Sequence, residues 1–173
     1  TCALQLHEIW GNMGADLSTY TKEELVFSAL NHDLGKMGDE VNESYIPQTD
    51  QWRKDKLGED YTFNTKLAFA SVPDRSLFLL QSHNIPYTFN EMVTIQIHDG
   101  LYDEGNKKYL MGYSAEQKPR TCLPFIIQQA DIMAARIEWE KEWLPKFNHS
   151  EEPKKKDSTI PQKTKALNTI KSE

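Results

Sequence analysis

The sequence has little of what marks membrane, secreted and nucleic-acid-binding proteins. No apolar run approaches the roughly 20 residues that a membrane helix needs, and no basic stretch followed by an apolar core resembles a secretion signal. The net charge is −6, whereas a protein that binds nucleic acid broadly needs a basic surface. We therefore expect a cytoplasmic protein with no membrane association and no broad nucleic-acid binding.

Cysteine is also scarce, since the chain contains only Cys2 and Cys122. Two cysteines cannot form a disulfide framework, and these lack the paired spacing of a zinc knuckle or a redox motif. We interpret both as small apolar residues of the core. With 38% hydrophobic residues in a chain of 173, one globular domain with a sizeable core is expected.

Apolar residues recur regularly up to about residue 148, and the residues beyond are mostly polar and charged. We therefore predict one domain over 1–148 and a charged, flexible tail over 149–173, which is either simply solvated or a partner-binding arm. Within the domain, apolar residues are spaced by three and four positions and no long alternating run occurs. This pattern predicts an all-α fold.

Local signals locate the helices. Capping boxes begin at Thr21 and Thr88, and the helices that follow run to His32 and His98 respectively. Further helices are expected at the N-terminus, after Pro73, and from about 123 to 143. Residues 39–72 are polar and rich in aromatic side chains, so we expect a long ordered loop over the site in place of a regular element.

Three acidic or imidazole side chains lie where apolar residues would be expected. His32 and Asp33 follow Ala29 at helical spacing and therefore border the buried face of their helix. An ionised carboxylate there costs on the order of several kcal/mol unless a cation or a metal pairs with it. Asp131 raises the same question on the apolar side of the last helix. A buried salt bridge with Arg136 or Lys36 is the alternative explanation for Asp131.

A metal ion accounts for these positions together. His7 lies on the apolar side of the first helix and completes a set of two imidazoles and two carboxylates. The predicted ligands of one divalent ion are His7, His32, Asp33 and Asp131. Mixed nitrogen and oxygen ligands suit Mn²⁺, Co²⁺, Ni²⁺, Fe²⁺ or Zn²⁺, with Mg²⁺ as a further candidate, and the sequence does not choose among them.

Residues 29–36, Ala-Leu-Asn-His-Asp-Leu-Gly-Lys, resemble the signature of the HD-domain superfamily of metal-dependent phosphohydrolases. The family pattern is a histidine, then the His-Asp pair, then a distant aspartate on a later helix. Here the separations are 25 residues from His7 to His32 and 98 residues from Asp33 to Asp131. The resemblance implies an HD-domain helical bundle with a long loop after the His-Asp helix.

Many members of this family hold a second metal with two further histidines. Residues 97–100, Ile-His-Asp-Gly, resemble the later of those sites, whereas residues 71–76 stand in place of the earlier one and contain no histidine. Asp74 is a candidate substitute there. We nevertheless expect a single metal, which favours hydrolysis over the oxygenase chemistry of other family members.

The resemblance implies hydrolysis of a phosphate ester or anhydride in a small nucleotide, either a nucleoside monophosphate or a deoxynucleoside triphosphate. Asp33 is expected to be both ligand and base, Lys36 and Arg75 to contact phosphate, His98 to contact phosphate or act as the acid, and Trp52 to stack on the base. A phosphodiesterase for cyclic or guanosine-tetraphosphate-type nucleotides is one alternative. A catalytically silent HD fold that binds a nucleotide or a partner protein is another. HD nucleotidases often assemble, so the resemblance raises a homo-oligomer as one possible state, and the sequence leaves the oligomeric state open.

Overall fold

Helices make up most of the chain that the computed structural model describes, which is residues 1–145. In chain order they are α1 (Cys2–Asn12), α2 (Lys22–Asn31), α3 (Gln51–Leu57), α4 (Val72–Ser82), α5 (Phe89–Ile97), α6 (Lys107–Leu110) and α7 (Leu123–Glu138). Short 3-10 turns connect several of them. The prediction of a mostly helical fold is confirmed, and the tail predicted for 149–173 lies outside the described residues.

The described residues fall into two units. The first is Thr1–Ile137, and residues 138–145 belong to the second, in which Trp139–Trp143 form a π-helical turn. Within the described residues, every helix is too short or too polar to traverse a bilayer. All the residues discussed below as site residues lie in the first unit.

One buried cluster of the first unit is formed by α1, α2, α7 and Tyr20, which precedes α2. Its buried members are Ala3, Leu6, Tyr20, Leu25, Leu123, Ile126, Ile127 and Ala130. Cys2 and Cys122 are free thiols that lie half-buried against this cluster. Within α1 and α7 these buried residues recur every three to four positions, as expected of a helix that buries one side. In α2, by contrast, the apolar residues Val26 and Leu30 are 40% and 75% exposed, so its apolar spacing does not mark the buried face.

Residues 39–72 contain regular elements that the sequence analysis did not predict. Two strands, β1 (Tyr45–Pro47) and β2 (Tyr61–Phe63), pair antiparallel, and α3 lies between them in the chain. The rings of Tyr45 and Phe63 contact each other across the ladder with centroids 5.2 Å apart. Strands of three residues are too short to show an alternating pattern, so the prediction of an irregular loop was wrong here.

Both predicted capping boxes are present. The Thr21 hydroxyl accepts a hydrogen bond from the Glu24 amide at 3.2 Å, and the Glu24 carboxylate accepts one from the Thr21 amide at 2.8 Å. Thr88 and Glu91 repeat the arrangement at the start of α5, with distances of 3.2 and 2.6 Å. These bonds satisfy amide groups that a helix start would leave without partners.

Glu24 also joins α2 to α5, because its carboxylate accepts hydrogen bonds from the Thr88 hydroxyl at 2.6 Å and from the Asn90 amide group at 3.1 Å. Burial raises the pKa of Glu24, but the hydrogen bonds from Thr88, Thr21 and Asn90 outweigh it, so the pKa lies below its ordinary value of 4.5. The charged carboxylate therefore stabilises the fold at neutral pH.

We expect the Glu24→Gln variant to unfold more easily than the native protein at pH 7, and the difference to shrink as the pH falls below about 4.5. A group with a depressed pKa contributes stability above its unfolded-state pKa and loses it as the pH falls through the folded-state pKa. Urea unfolding at several pH values measures this. Glu23→Gln, one position earlier and exposed, is the matched control and should leave the pH dependence unchanged.

Candidate metal centre

Two helices end side by side at a cluster of imidazoles and carboxylates. α2 and α5 contact each other at their starts through Glu24 and Thr88, and at their ends the rings of His32 and His98 lie 4.8 Å apart. The two helices therefore run parallel, and their carboxyl ends meet at one place. Because the carboxyl end of a helix carries partial negative charge, this place favours a cation.

The backbone fixes which imidazole nitrogens face the cluster. Nδ1 of His32 lies 3.1 Å from the carbonyl oxygen of Ala29, and Nδ1 of His98 lies 2.8 Å from that of Ile95. A carbonyl oxygen only accepts, so each Nδ1 must carry the hydrogen. In the neutral rings both Nε2 atoms are then lone-pair donors, which is the form that binds a metal.

Asp33 lies between the two rings. Its Oδ2 is 3.5 Å from Nε2 of His32 and its Oδ1 is 3.5 Å from Nε2 of His98. Lys36 donates a hydrogen bond to Oδ2 at 2.6 Å. Oδ1, in contrast, is buried and accepts no hydrogen bond from any described residue. Since a buried oxygen without a partner is costly, Oδ1 marks a position where a ligand is expected.

The donor atoms fit a metal ion. One ligand atom each from His32, Asp33 and His98 can be chosen so that all three lie within 4.8 Å of one another. Two donors that bind a tetrahedral zinc ion at about 2.1 Å are about 3.4 Å apart, which is close to the 3.5 Å between Asp33 and each imidazole. These three side chains can therefore hold a metal ion, and the identity of that ion is left open by a mixed nitrogen and oxygen set.

Electrostatics keep the carboxylates charged. Burial raises the pKa of Asp33, but contacts with His98 and Lys36 and the charge of His32 outweigh it, so the pKa lies well below its usual range. The pKa of Asp131 is also lowered, chiefly by His32 and against the effect of burial. Both groups are thus ionised at neutral pH and available as ligands.

Asp131 lies at the edge of this group. Its Oδ1 is 3.6 Å from Nε2 of His32, but it is not one of the three mutually close ligands. Gln128, one turn earlier on α7, packs on the Cα atom of Gly100 just after α5, where an added Cβ would lie 1.6 Å from the Gln128 amide nitrogen. Gly100, which also has a φ of +58°, therefore sets how closely α7 brings Asp131 to the end of α5.

His7 is not a member of the three-residue group. Its Nδ1 lies 2.8 Å from the hydroxyl of Tyr20, and the two rings meet edge to face with centroids 5.7 Å apart. Tyr20 belongs to the buried core. His7 therefore has a hydrogen-bond partner in the buried cluster, Tyr20. It does not belong to the group formed by His32, Asp33 and His98.

The residues predicted to bind substrate occupy three different environments. Lys36 is half-exposed and pairs with Asp33. Asp33 belongs, with His32 and His98, to the three side chains that could hold a metal ion, here called the metal group. Arg75 is 9% exposed, and its guanidinium donates a hydrogen bond to the carbonyl of Ala68, which ties the segment before α4 to that helix. Trp52 is 62% exposed on α3. Of the three, the structure brings only Lys36 into contact with a member of the metal group.

His98 was predicted as a phosphate contact or acid, and its resemblance to a histidine of a second metal site was noted; the structure places it with His32 and Asp33 in one group that could hold a metal ion. It is 2% exposed, and its Nε2 also lies 3.5 Å from Asp99. Burial lowers the pKa of His98, but Asp33, the Ile95 carbonyl and Asp99 outweigh it, so the pKa lies above its usual range. A signal was present, because the His-Asp-Gly sequence of residues 98–100 repeats the His-Asp of residues 32–33 at the end of a second capped helix.

Ser76 of α4 supports the end of α2 from behind. Its fully buried hydroxyl accepts a hydrogen bond from the Gly35 amide at 2.8 Å and is placed to donate to the carbonyl of His32 at 3.1 Å or of Val72 at 2.9 Å. The turn that carries Asp33 is therefore fixed on both sides by one hydroxyl group.

We expect Ser76→Ala to lower the free energy of unfolding by about 1–3 kcal/mol, because the buried Gly35 amide loses its acceptor. The variant should also bind a divalent ion about 10- to 100-fold more weakly, since groups that orient ligands affect metal affinity to that extent. Urea unfolding and calorimetric titration measure the two effects. Ser82→Ala, an exposed serine on the same helix, should change neither quantity appreciably.

Comparisons with models of protein families, with curated proteins and with solved structures found no match for this chain. The support for a function therefore comes from the motif and from the geometry of the side chains themselves.

Proposed function

We propose that this chain is a metal-dependent phosphohydrolase with an HD-domain fold that acts on a small nucleotide. The observation that carries the proposal is the group formed by His32, Asp33 and His98, with both Nε2 atoms and one unpartnered carboxylate oxygen directed to a common place. The mostly helical fold, and an aspartate on the last long helix at 3.6 Å from His32, are consistent with it.

A divalent ion bound by these residues would supply a Lewis acid that polarises a phosphate group and activates water for attack. The chain's own contribution is to hold the ligands. The carbonyls of Ala29 and Ile95 fix the two rings, and Ser76 fixes the turn that carries Asp33. We assign His98 to ligation, because its side chain is buried behind Asp33 and not open to a leaving group.

Lys36 is the proposed phosphate contact. Its ammonium group is half-exposed and lies beside Asp33, so a short rotation of a flexible side chain reaches a non-bridging oxygen of a bound substrate. Burial lowers the pKa of Lys36, but Asp33 and Asp131 outweigh it, so the pKa lies above its usual value and the group stays charged. Asp131 is the proposed fourth ligand, on account of its distance to His32.

The experiment is a screen for hydrolysis of nucleoside mono-, di- and triphosphates, cyclic nucleotides and guanosine tetraphosphate with Mn²⁺, Co²⁺, Zn²⁺ or Mg²⁺, in which the products are separated by chromatography. We expect metal-dependent hydrolysis of at least one nucleoside mono-, di- or triphosphate, reduced about 100-fold or more in His98→Ala. His83→Ala is the matched control, because His83 also ends a helix, α4, but is exposed. It should leave the rate unchanged.

The other functions give different results in the same screen. Turnover confined to cyclic nucleotides or guanosine tetraphosphate would favour the phosphodiesterase. Metal binding without turnover of any nucleotide would favour the catalytically silent binding module. Equal rates in the native protein and in His98→Ala would contradict the assignment of this site.

A further inference from the structure

A cavity of about 620 Å³ lies at the start of α5. Its walls are formed by the first turn of α5, by α6 and by the segment that leads to α7. This volume lies in the range of pockets that enclose small-molecule ligands. No residue of the proposed metal centre lines it.

The cavity is basic although the chain as a whole is acidic. Lys108, Lys118 and Arg120 line it against the single acid Glu116, whereas the chain carries a net charge of −6. None of these three cations forms an ion pair with another described residue. Three cations gathered around one cavity without a paired carboxylate repel one another, and an anion in the cavity relieves that repulsion.

Apolar and aromatic groups form the rest of the wall. Phe89 is 74% exposed in water, and the ring of Tyr109 lies 5.0 Å below the ammonium group of Lys108. Val93 and Pro124 also line the cavity. An exposed phenyl ring beside cations offers a face on which a flat ring such as a nucleic-acid base can stack.

The cavity is separate from the metal group. Phe89 begins α5 and His98 directly follows its end, and nine residues of α-helix span about 13 Å. A small ligand in the cavity therefore does not touch the metal-binding side chains.

We propose that this cavity is a second binding site. It takes a phosphate monoester that also carries a flat aromatic ring, such as a nucleoside monophosphate. Lys118 and Arg120 bind the phosphate, and Phe89 stacks on the ring. The proposal does not depend on the phosphohydrolase activity, because it uses none of the residues of the metal group.

The test is calorimetric titration of the full chain with AMP, adenosine and inorganic phosphate, in the presence of EDTA to remove metal-dependent binding. We expect AMP to bind more tightly than either part alone. The double variant Lys118→Ala/Arg120→Ala should weaken AMP binding about tenfold or more, which corresponds to about 1.4 kcal/mol. Phe89→Ser should weaken the binding of AMP but not that of phosphate.

The matched control is Lys56→Ala/Lys66→Ala, which removes two exposed cations that do not line the cavity and should leave AMP binding within about twofold of native. Three results would overturn the proposal: no saturable binding at millimolar AMP, AMP binding no tighter than phosphate, or equal weakening in both double variants. Because EDTA is present throughout, none of these results bears on the metal centre.

Discussion

Replacing Asp33 by alanine is expected to lower the affinity of the chain for a divalent ion by about 100-fold or more. Changes that only misorient a ligand reduce metal affinity about 10- to 100-fold, and Asp33→Ala removes a ligand outright. Among the residues that the structure describes, Asp33 is also the one carboxylate that lies 3.5 Å from Nε2 of both His32 and His98. Calorimetric titration with Zn²⁺ and with Mn²⁺ measures the change.

Asp55→Ala is the control for this experiment, because Asp55 is an exposed carboxylate that accepts one hydrogen bond from Gln51 on α3. The Asp55→Ala variant should bind the divalent ion with the same affinity as the native protein. Asp33→Asn keeps the shape of the side chain and removes its charge, so it separates a loss of ligation from a loss of folding. If Asp33→Asn bound the ion as tightly as the native protein, Asp33 would not be a ligand.

The second large effect is expected from Gly35→Ala. A Cβ atom at residue 35 would lie 2.3 Å from the carbonyl oxygen of Val72 and 2.9 Å from the Cβ of Arg75. The first of these is a backbone atom inside α4 and cannot rotate away, so α4 or the turn after Asp33 must move. We expect a loss of about 3 kcal/mol or more in the free energy of unfolding, together with weaker metal binding, as measured by urea unfolding and by titration.

Gly105→Ala is the matched substitution, because the nearest atom to its added Cβ would be a side-chain oxygen of Asp103 at 3.1 Å. That contact is relieved by a small side-chain movement, so the change in stability should be well below that of Gly35→Ala. If Gly35→Ala and Gly105→Ala lowered the free energy of unfolding by similar amounts, α4 could move away from residue 35 at little cost. The close packing of Gly35 on α4 would then not be required for stability.

The parts of the fold that the sequence predicted are those set by local signals. The capping boxes at Thr21 and Thr88 lie within four residues of chain, and the structure has both. The buried face of α7 follows from helical spacing, since Leu123, Ile126, Ile127 and Ala130 recur every three to four positions. The ends of α2 and α5 were therefore placed correctly, with His32 and His98 each just beyond the last helical residue.

The parts that could not be predicted depend on contacts between distant residues. The hydrogen bond between Gly35 and Ser76 joins positions 41 apart, and no pattern in either segment indicates it. His98 reaches Asp33 only because α2 and α5 run parallel and start at the same level, which the link from Glu24 to Thr88 fixes. The sequence alone shows that residues 97–100 resemble a family motif, but it does not show that His98 lies next to Asp33.

A purely structural ion-pair network is the simplest rival to a metal centre at this site. In that arrangement a protonated His98 would pair with Asp33 and Asp99, each at 3.5 Å. The ion-pair network leaves Oδ1 of Asp33 buried without a hydrogen bond from the described residues. The contacts of Asp33 with the two imidazoles, at 3.5 Å, are longer than a good hydrogen bond. A metal ion satisfies that oxygen and both Nε2 atoms at once.

The most direct test of the central claim is an anomalous-scattering map from crystals of the full chain grown with Zn²⁺ or Mn²⁺. If His32, Asp33 and His98 bind a metal ion, we expect one strong peak about 2.0–2.3 Å from Nε2 of His32, Nε2 of His98 and a carboxylate oxygen of Asp33. A map with no peak among these three atoms, at a saturating metal concentration, would contradict the metal centre.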